Sequence, residues 1–383
     1  MIGSRKPRSV RAAIAGLVAL VVSAAPPTLA RAQDAGGAQP SRAVFWAQTA
    51  EPVRIERLTA QGPVPVGSDT PLAWHRVRTI VGPLESAFGE YRDRARTVWR
   101  AVARLERGDT AAAEPLFDQM FDVYRGESGP TSAMVAEGLL RCRLARGAVA
   151  PSVEAWAALL AAVENDPARA AERRYALPPI IDPRTGLCAD LPPIFRASPG
   201  LHRLSSIETS IGDGGASGET ARVLAWYRAA ASHELDRPTG LTELLLEAET
   251  DPGSGPRLVR SIVLARIAGP DRRREARDEL ETLLQQGRAD ALSWTVPWIN
   301  TAIGRSLARE NDPAAKRRAV VRLMHTPVNH ANEAPALAAL SLADAADLLE
   351  NLGNRDGADA LRDRLAELFP AHPAATTASA TRR

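Results

Sequence analysis

Six histidines, two cysteines and a few loop carboxylates offer this 383-residue chain its reactive chemistry. Their spacing decides how much of it is usable. His325 and His330 flank Thr-Pro-Val-Asn. Metal-binding histidines on one helical face are typically four apart. Here the step is five with a proline inside it, so no metal site is expected. His233-Glu234 runs into Leu-Asp-Arg and does not close a His-Glu-x-x-His pair. No serine stands in a Gly-x-Ser-x-Gly elbow. Residues 211–218 (IGDGGASG) are glycine-rich but lack both GxGxxG spacing and a Gly-Lys-Ser/Thr. They read as a solvent loop with Ser217 capping the next helix. Asp190 and Asp213 stand in loops, and the sequence assigns them no partner. The expectation is therefore no catalytic residue, no cofactor and no metal.

Cys142 and Cys188 allow two readings. In an oxidising compartment they could pair, closing a loop of about 46 residues worth a few kcal/mol. Alternatively they are two buried thiols, Cys142 packing beside Leu139, Leu140 and Leu144 as a small apolar side chain. Trp294 and Trp298 lie four apart in SWTVPWIN, hence on one helical face. They could form an aromatic platform for a partner peptide or glycan, or pack between helices; packing is the commoner outcome. His75 lies in a strand-like run and could point either way. Trp156, Trp226 and Tyr227 sit among apolar helical residues and read as core.

The elements that must position these residues are mostly helical. Hydrophobic residues make up 45% of the chain and aromatics 4%, so the core must be built from Ala, Leu and Val, which favour close-packed helices. Residues 43–82 differ: VRIERL (53–58) alternates apolar and charged positions, and LAWHRVRTIVG (72–82) is again β-leaning. Two or three short strands are expected there, packed on the helices behind them. From Pro83 the apolar residues recur at steps of three and four, with Phe88, Tyr91, Ala95, Val98, Val102 and Leu105 on one face. Gly108 ends that helix and Asp109 caps the next. Helical hairpins are expected over 83–175. Residues 176–219, Pro-rich and then Gly-rich, break the pattern, and PPII and LPPIF suggest an ordered strap over the helices. A second hairpin array follows over 220–373, with helices at 219–234, 239–250, 256–268, 271–287, 289–309 (kinked at Pro297), 313–325, 335–352 and 355–369. Residues 374–383 read as a disordered tail.

The amino terminus addresses the compartment. Arg5, Lys6, Arg8 and Arg11 precede an apolar run over residues 12–25, then Pro26-Pro27 and Ala30-Arg31-Ala32. This is the three-part pattern of a signal peptide cleaved near Ala32. It would leave a leader over 33–42 and send the chain to the periplasm or outside the cell. The run is shorter than the roughly 20 residues that span a bilayer, so no transmembrane segment is expected in the mature chain. Five of the 48 basic residues and none of the 45 acids lie in 1–32, so removing that segment changes the net charge from +3 to −2. A mildly acidic chain gives no electrostatic case for nucleic acid.

Two hairpins carry a resemblance. Ala101, Ala113 and Met120 stand 12 and then seven apart, and Ala346, Ala358 and Leu365 repeat those intervals before Pro370. Small residues at the helix crossing, an apolar residue seven further on and a closing proline resemble the frame of the tetratricopeptide repeat (TPR). The likeness covers about 130 residues. It implies a mostly α fold: an antiparallel helix-hairpin array, a TPR-like α-solenoid, here with a small N-terminal β-element. It also implies a concave face that binds proteins or peptides, and no chemistry. The last hairpin would close the array, with Arg362, Asp363, Arg364 and Glu367 on a polar outer face. The expected function is an exported scaffold for partner proteins or peptides in the cell envelope. The alternative is an envelope hydrolase, active on glycan or peptide, built on a helical scaffold.

Overall fold

The computed structural model describes residues 40–47, 50–164, 174–206, 218–247, 254–289, 293–370 and 372–375. The expected signal peptide, residues 33–39 of the leader, the loop with Asp213 and the Ser217 cap, and the tail beyond residue 375 lie outside them.

The β-element has four strands rather than two or three: β1 Arg42–Phe45, β2 Val53–Thr59, β3 Gly62–Pro65 and β4 Val77–Val81. They form an antiparallel sheet in the order β3-β2-β1-β4, with Ala43 opposite both Val53 and Ile80. β1 begins at Arg42, the last residue read as leader, and β3 lies in the stretch read as turn. Gly62 (φ 144°) makes the tight return between β2 and β3, and a Cβ there would lie 1.7 Å from the Leu72 carbonyl oxygen. One face of the sheet buries Ala43, Phe45, Ile55, Val77 and Ile80 against Trp74, Phe88 and Ala95.

Thirteen helices follow among the described residues. The first four are α1 Glu85–Glu106, α2 Thr110–Tyr124, α3 Pro130–Ala145 and α4 Val149–Glu164. After the strap come α5 Pro199–Ser205, α6 Gly218–Glu234, α7 Leu241–Glu247, α8 Ser254–Ile267 and α9 Pro270–Ala289. The last four are α10 Thr295–Ala308, α11 Pro313–Asn329, α12 Pro335–Asn351 and α13 Arg355–Leu368. Links of three to five residues join α1 through α4 and α10 through α13, so consecutive helices lie antiparallel and in contact. The expected stops and caps operate: Gly108 adopts φ 80° and the Asp109 side chain accepts from Ala112 N–H. The expected kink at Pro297 does not arise, because Pro297 falls in the first turn of α10, where backbone N–H groups have no partner inside the helix. Helix α11 runs on through Pro327 to Asn329, four residues beyond its expected end.

The small residues singled out in the two hairpins are buried. Ala101, Ala113, Ala346 and Ala358 are each fully buried, as are Met120 and Leu365 to within a few per cent. Helix α3 lacks a cap of its own and borrows one from the sheet. The Gln61 carboxamide oxygen accepts from Ser132 N–H at 3.0 Å, while its amide donates to Ser132 Oγ at 2.7 Å. One apolar core runs from Val98 in α1 to Leu340 in α12.

Candidate functional site

The expected irregular segment is an ordered strap, residues 174–198, followed by the seven-residue α5. Its proline-rich backbone cannot build a ladder of its own hydrogen bonds, so its carbonyls look elsewhere. Side chains of three helices supply donors. Arg141 of α3 donates to Pro178 O at 2.7 Å, and Tyr227 of α6 donates to Leu191 O at 2.5 Å. Trp298 and Arg305 of α10 donate to Ala189 O at 3.0 Å and Phe195 O at 2.7 Å. Between these anchors the strap buries Leu187, Leu191, Ile194 and Phe195 in the common core. At 181–188 it folds into a tight loop in which the Asp182 carboxylate accepts from Arg184 and Thr185 N–H at 2.9 and 3.0 Å. Helix α8 meets this loop at a glycine: a Cβ on Gly255 would lie 2.0 Å from Thr185 O.

An ion-pair chain ties the strap to the last helices. Arg266 contacts Glu234 at 2.9 Å, and Arg305 reaches Glu234 at 3.4 Å and Asp344 at 2.9 Å. From the strap, Arg196 contacts Asp344 at 3.5 Å and Asp347 at 2.5 Å. Arg362 of α13 then pairs with Asp347 at 3.4 Å and with Glu350. Charges of alternating sign thus run from α8 to α13. Burial by itself would raise the Glu234 carboxyl, but Arg305 and Arg266 outweigh it and hold that carboxyl below its ordinary range. The bond from Arg362 to Glu350 pushes the guanidinium above its usual value.

At the outer end of this chain lies a cavity of about 820 Å³. Its apolar wall comes from the start of α4 (Val149, Pro151), the strap and α5 (Ile194, Leu201), and α12 and α13 (Leu337, Leu340, Leu365). Its polar wall holds Arg196, Asp347, Glu350, Asp359, Arg362 and His372. Burial first, and then the Arg196 charge, lowers the His372 pKa, which keeps the imidazole neutral at pH 7. A volume of this size, largely apolar with a few convergent polar groups, is typical of a ligand pocket.

The residues singled out by spacing do not meet here. Trp298 is fully buried, and its indole N–H is taken by the strap; that of Trp294 donates to Asp182 at 3.3 Å. The pair makes an edge-to-face contact at 5.0 Å and grips the chain's own strap, so it is not an open platform. Of the two readings of Cys142 and Cys188, the structure has the buried thiols: both are free and buried. Burial pushes both thiols up to about 12, so neither supplies the thiolate that disulfide exchange requires. The rings of His325 and His330 lie 5.5 Å apart, tilted by 31°, with His330 Nδ1 2.9 Å from Glu333. Among the described residues no cluster of metal ligands forms, and no helix is long and apolar enough to cross a membrane. Asp190 is not among the cavity-lining residues. Arg362, expected on the outer face of a closing hairpin, lines the cavity.

The charged wall escaped the motif search, although one signal was present. In α12, PALAALSLADAADLLEN, the three acids Asp344, Asp347 and Glu350 fall at steps of three on an otherwise apolar helix. Such a row marks one helical face. Its partner Arg196 lies about 150 positions away in the strap, and no local pattern connects the two. Comparisons of the chain with protein-family models, with curated proteins and with solved structures find no match.

Proposed function

We propose that this chain is an exported, TPR-like scaffold that holds a segment of a partner protein in the cavity between α4, the strap and α12–α13. The observation that carries this reading is the makeup of that cavity. It is large and lined mostly by apolar residues, and its carboxylates Asp347 and Glu350 are engaged by Arg196 and Arg362. Carboxylates committed to guanidinium partners fix the geometry of a wall. They suit recognition better than proton transfer, which needs a group poised to gain and lose a proton. Two features of the sequence support the rest of the proposal: the small–small–apolar frame of the two hairpins, and the basic–apolar–Ala-x-Ala pattern of residues 1–32.

Crosslinked co-purification from intact cells tests the scaffold, run in parallel on the wild type and on Leu340→Trp, which fills the cavity. One dominant partner, lost in the variant, supports the proposal. Turnover of a cell-wall glycan or peptide with no partner captured overturns it. Amino-terminal sequencing of the protein recovered from cells tests export: the mature chain should begin at Gln33.

A further inference from the structure

We infer that the segment held in this cavity presents one Lys or Arg side chain flanked by small or branched apolar residues. The inference rests on the peptide-binding reading above and adds the chemistry of the ligand. Among the described residues lining the cavity, three carboxylates (Asp347, Glu350, Asp359) face two guanidiniums (Arg196, Arg362). His372 is neutral at pH 7. The lining thus carries one more carboxylate than guanidinium.

Accessibility points the same way as charge. The side chains of Asp347, Glu350 and Asp359 are 47, 51 and 57% exposed, whereas Arg196 and Arg362 are 39 and 20% exposed. Arg362 spends its donors on those three acids, and Arg196 spends its own on Asp347 and Asp344. An arriving anion would find the guanidinium groups engaged and would have to approach exposed carboxylates. A carboxylate offers about four acceptor positions, more than one guanidinium fills. An arriving ammonium or guanidinium therefore has acceptors to meet, at Asp347 and Glu350 above all. Beside them, Val149, Leu337, Leu340 and Leu365 line the same cavity and offer nothing to hydrogen-bond. A segment filling the cavity must then be apolar on either side of its single cation, because an unpaired polar group against these side chains would carry a desolvation cost.

The test uses the whole chain and three pools of fluorescein-labelled nine-residue peptides. The pools share Ala, Val or Leu at the outer positions and differ in a fixed central Lys, Gln or Glu. Anisotropy titrations at pH 7 in low salt should rank the pools Lys, then Gln, then Glu. The Lys pool should bind roughly tenfold or more tighter than the Gln pool, as expected for a charge-assisted contact. Glu350→Gln changes a half-exposed side chain, so it tests the contact with little burden on folding. It should cut the Lys-over-Gln preference several-fold. Equal binding of all three pools, blocked by Leu340→Trp, would overturn the cation and leave the peptide-binding scaffold standing. A Glu pool that binds best, a Lys preference untouched by Glu350→Gln, or no binding by any pool would also overturn it. In the last case the cell crosslinking experiment decides separately whether the scaffold reading survives.

Discussion

Replacing Gly138 with alanine tests the packing of the hairpins, because two physical effects of opposite sign compete there. Gly138 lies in the middle of α3. On helix propensity alone, Gly→Ala in a helix interior stabilises by about 1 kcal/mol. The surroundings oppose this. A Cβ on Gly138 would lie 2.3 Å from Phe117 Cζ and 2.6 Å from the Tyr175 hydroxyl. Neither neighbour can retreat easily: Phe117 is fully buried in α2, and Tyr175 is buried with its hydroxyl donating to Met134 O at 2.6 Å. Overpacking of this kind costs about 1–3 kcal/mol. Displacing the tyrosine hydroxyl adds about 1 kcal/mol for a buried hydrogen bond lost. Set against the propensity gain, the net is a destabilisation of about 1–3 kcal/mol. Gly89 in α1 is the control: it is exposed, and its added Cβ would have no neighbour within 4 Å. Gly89→Ala should stabilise by about 0.5–1 kcal/mol. Urea unfolding at pH 7, followed by far-ultraviolet circular dichroism, measures both variants against the wild type. A Gly138→Ala midpoint at or above the wild-type value would refute the claim that α2, α3 and the strap meet at that residue.

Three other outcomes follow from the same structure. Ala358→Trp should collapse the last hairpin, since a fully buried alanine in α13, which packs on α12, leaves no room for an indole; an unchanged melting transition would count against that packing. Cys142 and Cys188 should resist a thiol-reactive disulfide reagent at pH 8 in the native protein and react promptly in urea, because burial keeps both protonated; fast reaction of the native protein would contradict their placement. Burial, reinforced by Arg76, pushes His75 down to about 4 from an unfolded value of 6.5. As pH falls the unfolded chain takes up that proton first. Stability should therefore be greatest above about 6.5 and decline toward about 4, by up to about 3 kcal/mol from this one group. His75→Gln should flatten the urea midpoint across that range, and an unchanged slope would exclude His75 as the cause.

The sequence by itself determined the helical class, most helix limits and the burial of the small residues in the two hairpins. Apolar spacing, caps and small residues are local signals, read within a few turns. Asp109 and Gly108 act as their types require, and Ala346 and Ala358 are buried as their spacing anticipates. Proline misled where its helical context mattered: Pro297 falls in the first turn of α10, and Pro327 lies within the last turn of α11. The strap also announced itself, because clustered prolines exclude regular structure, but its route did not. Only the tertiary structure decided that Trp294 and Trp298 would serve that strap rather than a partner. It likewise decided that Gln61 would cap α3, and that Arg196 would meet Asp344 and Asp347. Each of these joins residues about 70 to 150 positions apart. Such pairings are fixed by how whole helices stack, and the free energy that selects them comes from the shared apolar core, which has no short-range signature in the chain.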